Sequence, residues 1–437
     1  MIDIELIRED FENTAANLGK RGVEKKELEQ LKEVDEKWRN LTSEVEEKRA
    51  EQNTAGKELV NLDAAKKEEK IKELKKVSDI LKELEGQLAE VAEERNILRN
   101  KLPNLIIDDV PVGPDESANK VLRQVGELPE FKFTPKEHWE LGQDLNIIDT
   151  EQASKVTGSR FSYIKGDLVQ LQFALVQLAF SVLTNEKELE KIIEKNDLDV
   201  PTAPFIPVVP PVMVRPEVFG QMARLEPKDE RYYIESDDLF LVGSAEHTLG
   251  PIHIDSTLKE EQLPARYVGY STSFRREAGS YGKDVRGILR VHQFDKLEIE
   301  SFTVPEKSTQ EQNFIVAIQE HLMQLLELPY QVVAISTGDM GDPDARQIDI
   351  ETWLPGQNKY RETHSADLMT DYQSRRLKTR VKREDGKVEL VHMNDATVFA
   401  IGRTLIAIME NYQEEDGSIK VPKALKNFVS FKQIKKA

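Results

Sequence analysis

The stretch "FRREAGSYGKDVRGILRVHQFDK" (274–296) packs cations, carboxylates, glycines and aromatics between two apolar runs. If its flanks are strands, side chains alternate between faces. Ser273, Arg275 and Glu277 on the first strand and His292, Phe294, Lys296 and Glu298 on the second then supply one face of the hairpin. Arginine suits phosphate, because its planar fork donates two parallel bonds. Phe294 offers a flat surface for a purine, and Glu277 an acceptor for an exocyclic amine. Lys283 and Arg286 stand in the glycine-rich loop between, which could close over a ligand. Taken alone, such a hairpin reads equally well as the solvated face of an antiparallel sheet. No GxxxxGK[ST] loop occurs, and "GSYGKDVRG" does not match a dinucleotide fingerprint.

What must position these residues is a long, acidic, cysteine-free chain. Its 437 residues exceed one ordinary core, so two or more domains are expected. Cysteine is absent, which excludes disulfides and thiolate zinc sites and suits a reducing, cytoplasmic home. No membrane span or secretory leader is expected. A formal charge of −19 argues against a general nucleic-acid or DNA binder, so any RNA-binding surface must be local.

From Glu24 to Leu102 the composition shifts to Lys, Glu, Leu and Ala. Leu28, Leu31, Val34, Trp38, Leu41 and Val45 recur in steps of three and four, as do Leu74, Val77, Leu81, Leu84, Leu88 and Val91. This heptad spacing predicts two helical stripes zipped as an antiparallel coiled-coil hairpin, with a break near Gly56. Lys66, Lys67, Lys70, Lys75 and Lys76 would lie near its tip, where a projecting arm meets a polyanion. A dimerising coiled coil is the competing reading. "NLIIDDVPVGPDESANK" (104–120) reads as a linker. Beyond it, short apolar runs and charged loops alternate with helices over 166–185, 309–329 and 402–413. The class is α+β with an antiparallel sheet and an α-helical hairpin.

With these segments in view, the chain resembles the seryl-tRNA synthetases of bacterial type, class II aminoacyl-tRNA synthetases, from end to end. "GSRFSYIKGDLVQLQFALVQLAF" and "VPPVMVRPEVF" resemble the family's motif 1 region at the dimer interface. "STSFRREAGSYGKDVRGILRVHQFDKLEIESF" is close to motif 2, and "AIGRTLIAIMENYQEEDGSIKVPKAL" to motif 3. The resemblance implies a tRNA-binding domain over 1–108 with its hairpin at about 25–102, a linker over 109–120, and a class II catalytic domain over 121–437. It implies activation of L-serine with ATP, then transfer to tRNA(Ser), and also to tRNA(Sec), by a homodimer using Mg²⁺. A class II paralogue for another small amino acid or a carrier, and a non-catalytic RNA-binding scaffold, are the alternatives.

Carried over residue by residue, the resemblance assigns Arg275 to the α-phosphate, Glu277 to the adenine amine, Phe294 to the adenine face and Arg403 to the γ-phosphate. Arg275 and Arg403 are the expected catalytic cations. Arg276, Val291, Thr363 and His364 complete the expected ATP set, with Glu362 and Ser365 at Mg²⁺. Ser244, Ala245, Glu246, Arg275, Glu298, Asp395 and Thr397 are expected around serine. Three departures stand out. The family's TAE is "SAE", its usual Asn in the run after Glu362 falls at Leu368, and "HMNDAT" puts Asp395 where an Asn is usual. The lone histidines His247, His253 and His292 read as packing or hydrogen-bond partners. Asp349 and Glu351 read either as outer metal ligands or as a paired strand.

Overall fold

The computed structural model describes residues 1–59, 63–278 and 286–436. It comprises two compact units, Met1–Leu105 and Ile106–Ala437.

In the first unit, two short helices precede α1 (Lys25–Glu58) and α2 (Ala64–Lys101). Glu24 and Glu27 cap the start of α1 reciprocally, and Asp63 accepts the Lys66 N–H at the start of α2. At 1.5 Å per residue these helices run roughly 50–57 Å. The two heptad stripes face each other: Val34, Leu41 and Val91 are buried among Trp38, Leu84 and Leu88. Gly56 does not end the first helix, which continues to Glu58. One glycine costs about 1 kcal/mol, which tertiary packing along a long helix outweighs. The seam also holds a buried acid. Asp35 accepts from Arg8 at 2.7 and 2.9 Å and from Arg95 at 2.7 Å. The Arg95 guanidinium stacks 4.4 Å from the Trp38 ring. Burial alone would raise the Asp35 pKa, but the bonds from Arg8 and Arg95 hold it below its ordinary value.

The second unit is built on an eight-stranded sheet. In chain order the strands are β1 (Lys120–Val125), β2 (Ile206–Val208), β3 (Ala265–Phe274), β4 (Gln293–Thr303), β5 (Tyr330–Ala334), β6 (Arg346–Leu354), β7 (Lys359–Thr370) and β8 (His392–Ala400). Across the sheet they run β1-β5-β6-β7-β8-β4-β3-β2, antiparallel except for the β2–β3 pair. Three helices pack with it: α3 (Asp167–Leu183), α4 (Ser308–Leu325) and α5 (Ile401–Asn411).

Strand alternation divides the work of the two faces. Ile348, Ile350, Ala366, Ala396 and Val398 join Phe314, Ile315 and Ile318 of α4 in one apolar core. Two glutamines of α4 pin the strands from that side. Gln312 donates to the carbonyls of Arg346 and Ala366, and Gln319 to those of Ser365 and Thr397. The intervening residues of β4, β7 and β8 turn their polar side chains to the other face. Among the described residues, no single helix is long and apolar enough to cross a membrane.

Candidate active site

That polar face forms the floor of a cavity of about 220 Å³. It is lined from four directions: the end of β3 with the return into β4, strand β7, strand β8, and the first turn of α5. A larger hollow of about 570 Å³, beside Lys195, Glu320, His321 and Arg346, shares only Gln347 with it.

The first wall is the opening sequence stretch. β3 ends at Phe274 and β4 starts at Gln293, so the alternation expected through Glu277 and from His292 stops short. Glu277 instead takes a left-handed backbone, with φ of +52°. Arg275 and Glu277 both still line the cavity. The Arg275 Nε donates to the Gly243 carbonyl at 3.0 Å, and its guanidinium lies 5.4 Å from the Phe294 ring. Glu277 accepts from Arg290 at 3.4 Å. Arg276 does not line the cavity; it packs 5.6 Å from the Tyr232 ring. His292 donates its Nδ1–H to the Arg275 carbonyl at 2.9 Å, a structural contact. Lys283 lies outside the described residues, and Arg286 rests 4.8 Å from the Trp139 ring.

The second wall is β7. A bulge at Thr363, between the Glu351–Glu362 and Ile350–His364 pairs, re-aims the strand. Glu362, Thr363, Ser365 and Asp367 line the cavity. His364 does not. Its ring packs edge-on against Phe399 at 5.8 Å, and burial pushes its pKa down to about 3. Leu368 points into the interior, 1% exposed, so the side chain presented beside the departure in the sequence is Asp367. Asp349 accepts from Gln347 at 3.0 Å and Glu351 from Gln331 at 2.6 Å.

Arg403 enters from the first turn of α5. Its Nη1 lies 3.0 Å from Glu362 Oε1 and donates to the Glu362 carbonyl at 2.9 Å. Burial alone would raise the Glu362 pKa, but the charges of Arg403 and then Lys296 hold it below its ordinary value. Glu362 and Ser365 are oxygen donors in one cavity. Among the described residues no three His, Asp or Glu groups converge on a metal position. This donor set fits a hard cation held mainly by substrate phosphates and water.

At the far end the geometry departs most from expectation. Glu298 is fully buried behind the cavity wall, ion-paired with Lys296 and accepting from Ser244 and Thr397 at 3.2 Å each. Ser244 and Ala245 are likewise buried rather than lining. Glu246, Asp395, Thr397 and Lys296 do line it. The residue missed in the sequence is Arg224. Its guanidinium reaches Asp395 at 3.2 Å, Glu246 at 3.4 Å, Asp367 at 3.6 Å and Asp344 at 3.8 Å. Against the penalty of burial, the Arg224 charge holds Glu246 well below the usual carboxylate range, while burial and then Glu246 push Asp395 well above it. Burial also depresses His247, to about 4, so it stands beside Glu246 as a neutral ring. Nothing local marks Arg224, whose partners stand up to 171 residues away. Asp367 was within reach, since alternation from Ser365 places both on one face.

Comparison with known proteins gives the same outline. The seryl-tRNA synthetase N-terminal domain matches residues 1–106, and the class II core domain of the Gly, His, Pro, Ser and Thr tRNA synthetases matches 231–412. A serine–tRNA ligase of Fervidobacterium nodosum is 39% identical over 100% of this chain and 99% of its own. One from Thermotoga neapolitana is 40% identical over 99% of this chain and 100% of its own. The crystal structure of seryl-tRNA synthetase from Pyrococcus horikoshii complexed with ATP superposes with a TM-score of 0.88 at 36% identity, covering 100% of both chains. The chain belongs to the seryl-tRNA synthetase family.

Proposed function

We propose that this cavity is where serine is activated with ATP before it is joined to tRNA. The observation that carries this reading is the meeting of Arg275, Glu277, Phe294, Glu362 and Arg403 in one cavity whose other end is acidic. The chain is a serine–tRNA ligase by its full-length similarity to those enzymes, two of them solved with ATP or AMP.

The chemistry follows from the charges. A serine carboxylate oxygen attacks the α-phosphorus, the bond to the bridging oxygen breaks, and pyrophosphate leaves. Anion meets anion, so preorganised cations lower the barrier. Arg275 holds the α-phosphate beside Phe294, which stacks on adenine while Glu277 accepts from its amine. Arg403, at a helix start where backbone N–H groups also favour anions, takes the γ-phosphate. Glu362 and Ser365 would hold Mg²⁺, which supplies charge neutralisation to the phosphates. Glu246, ionised and facing the cavity, takes the substrate ammonium with Glu298 behind it. In the second half, a ribose hydroxyl at the tRNA 3′ end attacks the adenylate carbonyl and AMP leaves. Holding reactants in line is worth up to about 7–11 kcal/mol in ideal intramolecular cases, so no nucleophilic side chain is assigned.

The hairpin of α1 and α2, with exposed lysines near its turn, serves as the tRNA-binding arm. RNA helices are recognised largely through shape and backbone. The protein works as a cytoplasmic homodimer, and exposed apolar residues such as Ile206 and Val209, the latter 85% exposed, support that assembly. The deciding experiment is ATP–pyrophosphate exchange across serine, threonine, alanine and glycine, followed by charging of tRNA. Serine alone should give strong exchange, and Arg275→Ala should lower it about 100-fold. Exchange with another amino acid and none with serine would overturn the reading.

A further inference from the structure

The amino-acid end of the cavity carries more acid than one substrate ammonium calls for. Asp367 and Asp395 face each other across β7 and β8, and the single guanidinium of Arg224 serves both, together with Glu246. Lys296 is committed to Glu298, whose buried Oε2 has no hydrogen-bond partner among the described residues. Glu300, on the same face of β4, is 0% exposed, and among the described residues neither of its oxygens has a hydrogen-bond partner. Among the described residues, carboxyls thus outnumber the cations that touch them, Arg224 and Lys296. Buried acid in excess of cation holds its protons until a ligand brings positive charge. The α-ammonium of an amino acid brings one such charge, and Asp395 still lines the cavity.

Resting on the reading of this cleft as the serine-activating site, we propose that Asp395 reads the substrate side chain as a hydrogen-bond donor, and that the enzyme therefore activates the β-amino analogue of serine, 2,3-diaminopropionate, as well as serine. A β-ammonium and a β-hydroxyl are close in size, so a pocket deep enough for one admits the other. The hydroxyl offers one proton to an acidic wall, and the ammonium offers three with a full charge. Charge-assisted bonds are roughly twice as strong as neutral ones. Alanine offers none, and a pocket built to receive a side-chain donor rejects it strongly. The reacting bonds are unchanged. The carboxylate oxygen bonds to the α-phosphorus, pyrophosphate departs, and the side chain exchanges no proton with the reacting atoms.

The test is ATP–pyrophosphate exchange by the full-length protein with serine, 2,3-diaminopropionate or alanine as sole amino acid, in the wild type and in Asp395→Asn. The expected kcat/KM for 2,3-diaminopropionate is within tenfold of that for serine, with alanine at background. Asp395→Asn should lose at least tenfold more activity with 2,3-diaminopropionate than with serine. Normal serine exchange with no 2,3-diaminopropionate exchange would overturn this proposal and leave the activation site intact. No exchange with serine either would instead overturn the reading of the cleft. Equal losses for both amino acids in Asp395→Asn would remove Asp395 as the reader. If that variant fails to fold, the wild-type comparison still decides the substrate claim.

Discussion

Arg403 of α5 and Glu362 of β7 meet twice, through a 3.0 Å ion pair and through a 2.9 Å bond to the Glu362 carbonyl. The cation proposed for the γ-phosphate is thereby preset by the carboxylate proposed for the metal. Removing it acts on both. Arg403→Ala should lower adenylate formation by about 2.7 kcal/mol, or 100-fold, as loss of one preorganised donor does. It should also move the acid limb of the rate profile. Arg403 holds the Glu362 pKa down against burial. Without it the carboxyl protonates at higher pH, so activity is lost sooner on acidification. Pyrophosphate exchange between pH 5.5 and 8.5 measures this, and an unmoved acid limb would show that Arg403 does not control Glu362.

The contrast between Arg403 and Arg224 shows what was legible in the sequence. Arg403, Glu362, Arg275 and Phe294 sit in continuous motifs, so each could be placed from its neighbours. The heptads of α1 and α2 likewise marked two zipped helices, and α1 packs on α2 of the same chain. Arg224 has no such context: it becomes meaningful only when Glu246, Asp367 of β7 and Asp395 of β8 converge on it. The hairpin flanking 279–285 misled for a different reason. Alternation presumes an extended backbone, and Glu277 leaves that region. His364, expected beside ATP from the resemblance, packs against Phe399 where the Thr363 bulge shifts which side chains face the cavity.

The return into β4 is held by a buried histidine. His138 Nε2 accepts the Ile288 N–H at 3.2 Å, and its Nδ1 lies 3.3 Å from Glu410 Oε1. Gly287 precedes this bond with φ of +70°, and a Cβ there would stand 2.0 Å from His138 Nε2. Ile288 lines the cavity. Gly287→Ala should therefore raise the KM for ATP severalfold. His138→Ala, which leaves the Ile288 N–H unpaired, should cost about 1–3 kcal/mol. The double variant should be less impaired than the sum of the two, because His138→Ala removes the clash. Strict additivity, read from exchange kinetics, would break the proposed link.

In the first unit, the buried Asp35 should govern acid stability. Its pKa is held below the ordinary value, so its contribution is complete above about pH 4 and is lost as pH falls through the folded value. Asp35→Asn should destabilise the unit by about 3 kcal/mol at pH 7, since Arg8 and Arg95 lose their shared anion. The gap between variant and wild type should narrow toward pH 3. Urea unfolding followed by helical circular dichroism at the two pH values tests the sign, and a gap that widened on acidification would contradict it.

The lysines near the hairpin turn are not equivalent. Lys66 lies 3.5 Å from Asp63, and Lys70 lies 3.5 Å from Glu58 and 3.4 Å from Glu73, so their charge is partly answered within the arm. Lys67, Lys75 and Lys76 are exposed on the first turns of α2. If the arm meets the tRNA backbone, replacing these three with Glu should raise the KM for tRNA at least tenfold. The slope of log affinity against log salt should fall by about three, one for each phosphate left without its lysine. Serine-dependent pyrophosphate exchange, which needs no tRNA, should stay at the wild-type rate. An unchanged KM for tRNA would mean that another surface holds the RNA, and a fall in exchange would mean that the substitutions disturb the cleft rather than the arm.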